Sequence, residues 1–422
     1  MKSNWKSVLW ILFLCFSLCS CDTLHIITPS NDDVDIQEFS YRENDDMWLQ
    51  TQSSYAKASK LVGYGDYLYY KDSKSFVKYN VKTGIKTYIC GDPVCSHTAK
   101  DCPLYGYTDF GAVPLFYENK LYYFVDYDEG IYVNGIFDHV EYVNNFSCYD
   151  ILNQKHHVIL DDFFVNFVEY IISGNCFYYY HPYQDDEGNY IYYLNSINLT
   201  NSVITEKLLL ADLDGKQPNN IVAASNDQIY FASYMYGELY SYNISDFSTK
   251  TLLYEAPDGY NIAHIGCQDE SFYFVIQNSD CSDQKLCYYN LNTNETTILY
   301  SFTSPLSHVY YTQSYAYFTY NEKKTIGTTS DTQETINLPA SKIYRVSLSD
   351  TIPSEEFVFE FTDNMSMFSI NSFVVSGNYI YAYYISWVPS GDELTSSDGY
   401  NSIDDRIIMR IDVETGEIYY IK

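Results

Sequence analysis

Between residues 90 and 103 the chain reads Cys90-Gly91-Asp92-Pro93-Val94-Cys95-Ser96-His97-Thr98-Ala99-Lys100-Asp101-Cys102-Pro103. Its thiols and imidazole, spaced C-x4-C-x-H-x4-C, can furnish four ligands for a tetrahedral Zn²⁺. Asp92-Pro93 and Cys102-Pro103 stiffen the loop and reduce the entropy lost on wrapping an ion. Cys90, Cys95, His97 and Cys102 are therefore the candidate metal ligands. Their role would be structural, since four protein ligands leave no open position for a reacting water. The spacing is not that of zinc fingers or ribbons, and two other readings stand beside it. In an oxidising compartment a disulfide could close the same loop, with the odd cysteine seeking a partner such as Cys148 or Cys176. Unligated thiols are the third reading.

The remaining reactive side chains carry weaker signals. Cys281 and Cys287 flank a Ser-Asp-Gln-Lys-Leu turn and suit a hairpin disulfide, whereas Cys267 reads as a small buried thiol on an inner strand. Asp126-Tyr127-Asp128-Glu129-Gly130 has the alternating acids and glycine of a Ca²⁺ loop but lacks the later bidentate acid. It reads as a solvated hairpin tip, as do Asp185-Asp186-Glu187-Gly188-Asn189 and Asp392-Glu393 with Ser396, Ser397 and Asp398. His156-His157 and His181 have no acid or thiol at ligand spacing and read as surface or rim positions. No Gly-x-Ser-x-Gly, His-Glu-x-x-His or phosphate-cradling glycine loop occurs. No catalytic and no cofactor-binding residue is assigned.

The elements that must position these groups are strands. A polar turn followed by a Tyr-rich strand recurs, as in Gly65-Asp66-Tyr67-Leu68-Tyr69-Tyr70, Asn119-Lys120-Leu121-Tyr122-Tyr123, Asn226-Asp227-Gln228-Ile229-Tyr230-Phe231 and Gly377-Asn378-Tyr379-Ile380-Tyr381. A period of about 50 residues made only of strands is the signature of a β-propeller. Repeats begin near residues 60, 113, 169, 220, 262, 307 and 371. Seven blades of four antiparallel strands is the expected count, with six or eight as alternatives. In the fourth repeat the expected strands are 220–225, 228–234, 238–244 and 249–254. Large side chains on both faces of the Tyr67–Tyr70 strand fit a sheet sandwiched between neighbours. A Thr-Gly or Thr-Asn pair turns the chain toward the fourth strand at Thr83-Gly84, Thr293-Asn294 and Thr415-Gly416. The sixth repeat is the least regular, with a polar insertion from Thr325 to Pro339. Residues 35–50 could supply a closing strand, although the last repeat carries its own.

Forty-nine tyrosines among 422 residues favour pleated, half-buried surfaces and bring hydroxyls to the blade edges. The formal charge is −31, and loss of Lys2 and Lys6 would leave 22 basic against 55 acidic side chains, about −33. Such a surface repels nucleic acid and anionic headgroups and suits solubility, cationic partners or Ca²⁺.

Lys2 and Lys6, the apolar run Val8 to Phe16, and Leu18-Cys19-Ser20-Cys21 form a signal-peptide pattern too short to span a bilayer. The Leu-x-Ser-Cys ending resembles the lipobox of bacterial lipoproteins. That resemblance implies cleavage after residue 20 and lipidation of Cys21, a membrane tether for a soluble body; an ordinary secretory signal is the alternative. Residues 21–50 read as a flexible spacer, rich in Asp, Asn and Ser until Met47-Trp48-Leu49. The propeller is expected over 51–422. The repeats from residue 60 resemble the Tyr-rich propeller lipoproteins of Gram-positive anaerobes, which look like TolB-type and YWTD-type propellers. The cysteine segment with its Asp-Pro resembles a signature of the same group, and the anaerobic habitat this implies would favour reduced thiols and metal. The resemblance implies a fold and a membrane address but no activity.

The expected function is a lipid-anchored, extracytoplasmic, monomeric binding module for a glycan, peptide or protein. Its ligand face would be the end formed by the D–A and B–C loops, with Trp387 as one aromatic platform. The alternative is a glycan hydrolase or lyase using a funnel carboxylate pair, which only geometry can reveal.

Overall fold

The computed structural model describes residues 47–49 and most of 61–421. It leaves out 91–114 except Cys95 and Cys102, 164–169, 185–189, 210–219, 328–332, 361–367, 390–399 and shorter turn segments. Seven antiparallel sheets follow one another in chain order as the blades of a β-propeller. Their inner strands, A, are Leu61–Tyr64, Leu115–Tyr117, Tyr170–Ser173, Asn220–Ser225, Tyr260–Gln268, Leu306–Tyr311 and Phe368–Ser376. These starts fall within three residues of those expected from the repeats. The A strands of blades two to seven lie side by side in order, and that of blade seven lies beside that of blade one. Among the described residues no helix is long and apolar enough to cross a membrane.

Both faces of each sheet are covered, which explains the run of large residues along the B strands. In blade one, Leu68 and Tyr70 pack toward blade seven while Tyr69 packs toward blade two, all 5% exposed or less. Among the described residues the ring closes by packing. Leu61, Leu68 and Val77 of blade one meet Val374, Tyr381 and Ile408 of blade seven. At this seam Arg410 is buried between the rings of Tyr379 and Tyr419, its guanidinium 4.7 and 4.5 Å from their centroids. Strand D of blade seven, Ile418–Ile421, pairs with Tyr400–Asp412 of the same blade, so no strand is exchanged. Within the 35–50 span, Met47–Leu49 does form a strand, but at a different place from the expected closure. It adds to strand A of blade four, on the side away from strand B.

The C–D turns share a device. An Asn or Asp ending strand C accepts backbone N–H bonds from two and three residues on: Asn80 from Lys82 and Thr83, Asn198 from Thr200 and Asn201, Asn290 from Asn292 and Thr293, Asp412 from Glu414 and Thr415. Four residues after the Asx the chain enters the left-handed region, at Gly84, Ser202, Asn294 and Gly416. The side-chain oxygen stands in for a backbone acceptor while the turn reverses.

Because adjacent strands run antiparallel, all B–C hairpins and all D–A connections open on one face of the ring. The hairpins differ greatly in length. Blade four uses Gln228–Ser233 and Glu238–Asn243, whereas blade two uses Lys120–Val133 and Ile136–Asp150, and blade seven Tyr379–Pro389 and Tyr400–Asp412. In blade six the insertion becomes structure: strand B, Tyr315–Gly327, overruns its sheet and pairs with an added strand, Gln333–Pro339. Asp126–Gly130, expected as a turn, lies within strand B of blade two, with Asp126 opposite Asn144 and Gly130 opposite Val140. Strand-favouring Tyr127, Ile131 and Val133 on one side and Val140 and Val143 on the other carry pairing past the acids.

Candidate metal centre

Strand D of blade one ends at Tyr88 and strand A of blade two begins at Leu115. This is the longest crossing between blades, and a connection of such length needs its own anchoring. Ile89 and Cys90 follow strand D directly and tuck between the two blades. Cys90 and Cys102 are 9% and 2% exposed, and Cys95 is half-buried. The Sγ atoms of Cys90, Cys95 and Cys102 all lie within 4.8 Å of one another. All three are present as thiols. Zinc with Zn–S bonds of about 2.3 Å sets sulfurs ~3.8 Å apart in a tetrahedron. The triad therefore needs only small inward shifts to hold the ion, with thiolates supplying the affinity for a borderline-soft metal. His97, the expected fourth ligand, lies outside the described residues, as does Cys21.

The walls of the site come from strands B and C of blade two and strand B of blade one. Tyr69, Leu121, Tyr123, Val125 and Tyr149 form one buried cluster with Cys90 and Cys102. Burial first, then the neighbouring Cys90 and Asp150, pushes the Tyr149 hydroxyl up to about 12. Burial, followed by Cys148, Cys102 and Tyr149, holds Tyr123 well above the ordinary phenol value. Both phenols thus stay protonated, and neutral hydroxyls flank the sulfurs. Cys148 packs with Tyr122 and Phe146 toward blade three, on the other side of the sheet from the triad. Burial raises its thiol to about 11.

The other sequence candidates are dispersed. Cys267 is buried on the inner strand of blade five, as expected. Cys281 and Cys287 both stand as thiols, the second buried and raised to about 12 chiefly by burial. His157 is exposed, but His156 is half-buried with its ring 6.1 Å from that of Tyr123, and burial lowers its pKa. This corrects the surface reading: as the cross-strand partner of Tyr149, His156 sits on the face that meets blade one. Asp185–Asn189 and Asp392–Asp398 lie outside the described residues. Trp387 pairs opposite Ser402 in the long hairpin of blade seven, on the face predicted for the ligand.

One pair of groups has no local signal in the sequence. His264 and His308 lie on the inner strands of blades five and six, each at a break in strand register. His264 is 6% exposed, adopts φ +47°, and among the described residues its Nδ1 has no hydrogen-bond partner. Tyr311 donates its hydroxyl to the His264 carbonyl at 2.7 Å. Burial first, then His308, lowers His264 to about 3, and burial lowers His308 to about 4. Both rings are neutral at pH 7.

No family model matches this sequence, and no curated protein matches it. Solved structures resemble it only distantly. An oligogalacturonate lyase in complex with manganese aligns over 91% of this chain and 95% of its own, at 10% identity and TM-score 0.43. A Mycobacterium tuberculosis puromycin-hydrolyzing peptidase aligns over 92% of this chain and 56% of its own, at 9% identity and TM-score 0.46. A prolyl endopeptidase aligns over 87% of this chain and 51% of its own, at 9% identity and TM-score 0.46.

Proposed function

We propose that this chain is a lipid-anchored, extracytoplasmic propeller that binds a glycan, peptide or protein on the face carrying its B–C hairpins. The observation that carries the reading is the unequal hairpin length. Blades two, six and seven raise paired ribbons on that face, while blades one and four stop at six-residue strands. Paired ribbons present aromatic positions such as Tyr127, Tyr142, Trp387 and Tyr400 from ordered backbone, which lowers the entropy of ordering on binding. On the same face Cys90, Cys95, Cys102 and His97 hold a structural zinc that ties the long connection between blades one and two. An equivalent geometry for three sulfurs supports metal over a disulfide, which uses only two.

The mature protein, applied to glycan and peptide arrays, should select one ligand class. Shortening the blade-two hairpin by deleting residues 127–142 should abolish binding while leaving the unfolding transition in place. Retained binding in that variant would overturn the reading. For the anchor, Cys21→Ala should shift the protein from membranes to the medium, and continued membrane retention would count against lipidation.

A further inference from the structure

Strand A of blade four exposes a backbone edge to the central channel, and the chain itself supplies a strand to that edge. Met47, Trp48 and Leu49 align antiparallel with Ser225, Ala224 and Ala223. The added strand also lies beside the inner strand of blade five. An inner blade edge carries unpaired N–H and C=O groups, which makes it a template for strand addition.

Two features single out this edge and this segment. Among the seven inner strands, only that of blade four has consecutive alanines followed by serine, Ala223-Ala224-Ser225. Blades two, three, six and seven carry Phe116, Ile171-Ile172, Val309-Tyr310 and Phe373-Val374 on theirs. Ala223 and Ala224 are buried, Ala223 in the cluster shared with blade five and Ala224 in that shared with blade three, so the strand meets the channel through its backbone edge. On the tether side, Met47-Trp48-Leu49 is the apolar triplet that ends a polar spacer, immediately after Glu43-Asn44-Asp45-Asp46.

We infer that the channel-facing edge of blade four is a binding slot for an extended peptide, and that Met47–Leu49 of the tether is its resident occupant. This slot is separate from the hairpin face above and does not depend on it. Recognition runs through backbone hydrogen bonds along Ala223–Ser225. A competing peptide must displace the tether, so the slot is self-occupied until it does.

The test uses the full mature chain and a variant in which Trp48→Pro removes a backbone donor and, together with Met47→Gly and Leu49→Gly, the apolar triplet. In the wild type, amides of residues 47–49 should exchange with solvent at least about tenfold more slowly than in a free chain. In the variant, those amides of Ala223–Ser225 that face Met47–Leu49, rather than strand B, should lose protection. A labelled synthetic peptide of residues 42–52 should then bind the variant, restore that protection, and fail to bind the wild type. A scrambled peptide should bind neither. Free-chain exchange at residues 47–49 in the wild type, or a 42–52 peptide that binds the variant no better than the wild type, would overturn the slot.

Discussion

Between blades four and five, Tyr230 meets Phe272 edge-on at 5.3 Å and Tyr254 meets Phe274 at 4.9 Å, within a cluster of buried aliphatic residues. The connection there needs only residues 256–259, with Gly259 at φ +83° making the turn. Between blades one and two, Tyr69 and Tyr123 are equally buried, yet thiols of Cys90 and Cys102 fill the space beside them, and the connection spans residues 89–114. The first junction is held by shape: side chains fixed on strands meet across a short link. At the second, a long connection brings its own side chains into the interface, and those side chains can be cross-linked through a metal. The contrast implies that the same architecture tolerates a long crossing when the crossing itself is pinned.

That contrast can be broken most directly at Phe272, which is fully buried. Phe272→Ala should cost about 3–5 kcal/mol by urea unfolding, the usual loss for a large buried ring. A loss below about 1 kcal/mol would mean that the aromatic junction is not what holds blades four and five. Next comes the inner wall of blades five and six. With His264 lowered to about 3 and His308 to about 4, the unfolded chain takes up protons first as pH falls below 6.5. Stability should therefore be full above pH 6.5 and fall toward pH 4 by up to ~1.4 kcal/mol per pH unit for each histidine. His264→Asn, a residue that accepts the left-handed backbone, should flatten part of that slope in urea titrations at several pH values. An unchanged slope would assign the acid sensitivity elsewhere.

Gly266 extends the comparison to a junction where backbone approaches ring. A Cβ there would stand 2.4 Å from Cδ2 of Tyr311. Gly266→Ala should cost about 1–3 kcal/mol as the ring or strand shifts, read from the same unfolding curves. The smallest expected effect sharpens the thiol side. Purified protein should hold close to an equimolar amount of zinc, lost in Cys95→Ser. Chelation should lower the Tm of the wild type by about 2–4 °C, the response of a large domain to roughly 1 kcal/mol, and should leave Cys95→Ser unmoved. Metal analysis finding no zinc, with mass spectrometry showing a bridge, would replace the metal by a disulfide. Chelation should add the same decrement to Phe272→Ala, since the two junctions are separate.

The ring was legible because its signals are local and repeated. Tyr67–Tyr70, Asn119–Tyr123 and Gly377–Tyr381 each place a turn before a doubly buried strand, and those are interactions within a few residues. The C–D turn is only half legible: Thr83-Gly84 and Thr415-Gly416 mark it, while the Asn80 and Asp412 oxygens hold it through hydrogen bonds that the Thr-Gly pairs do not reveal. Hairpin length in blade two is hidden because the acids Asp126, Asp128 and Glu129 resemble a tip, whereas their cross-strand partners Asn144, Tyr142 and Glu141 carry the pairing onward. The Sγ atoms of Cys90, Cys95 and Cys102 lie within 4.8 Å of one another, a grouping that their closeness in sequence makes easy to anticipate. His264 and His308 lie 44 positions apart and meet only through the ring, so no local pattern could reveal them. Met47–Leu49 falls within the 35–50 span expected to offer a strand, but its pairing with blade four is likewise set only by the ring.

The seam of Leu61, Leu68 and Val77 against Val374, Tyr381 and Ile408 joins the most distant parts of the sequence without a shared strand. During synthesis no sealed ring can exist until the seventh repeat has emerged, so earlier repeats must wait with one apolar flank bare. Long-range contacts of this kind slow folding and expose sticky intermediates. An open arc of blades first, followed by a single late snap shut, is the order of events this closure imposes.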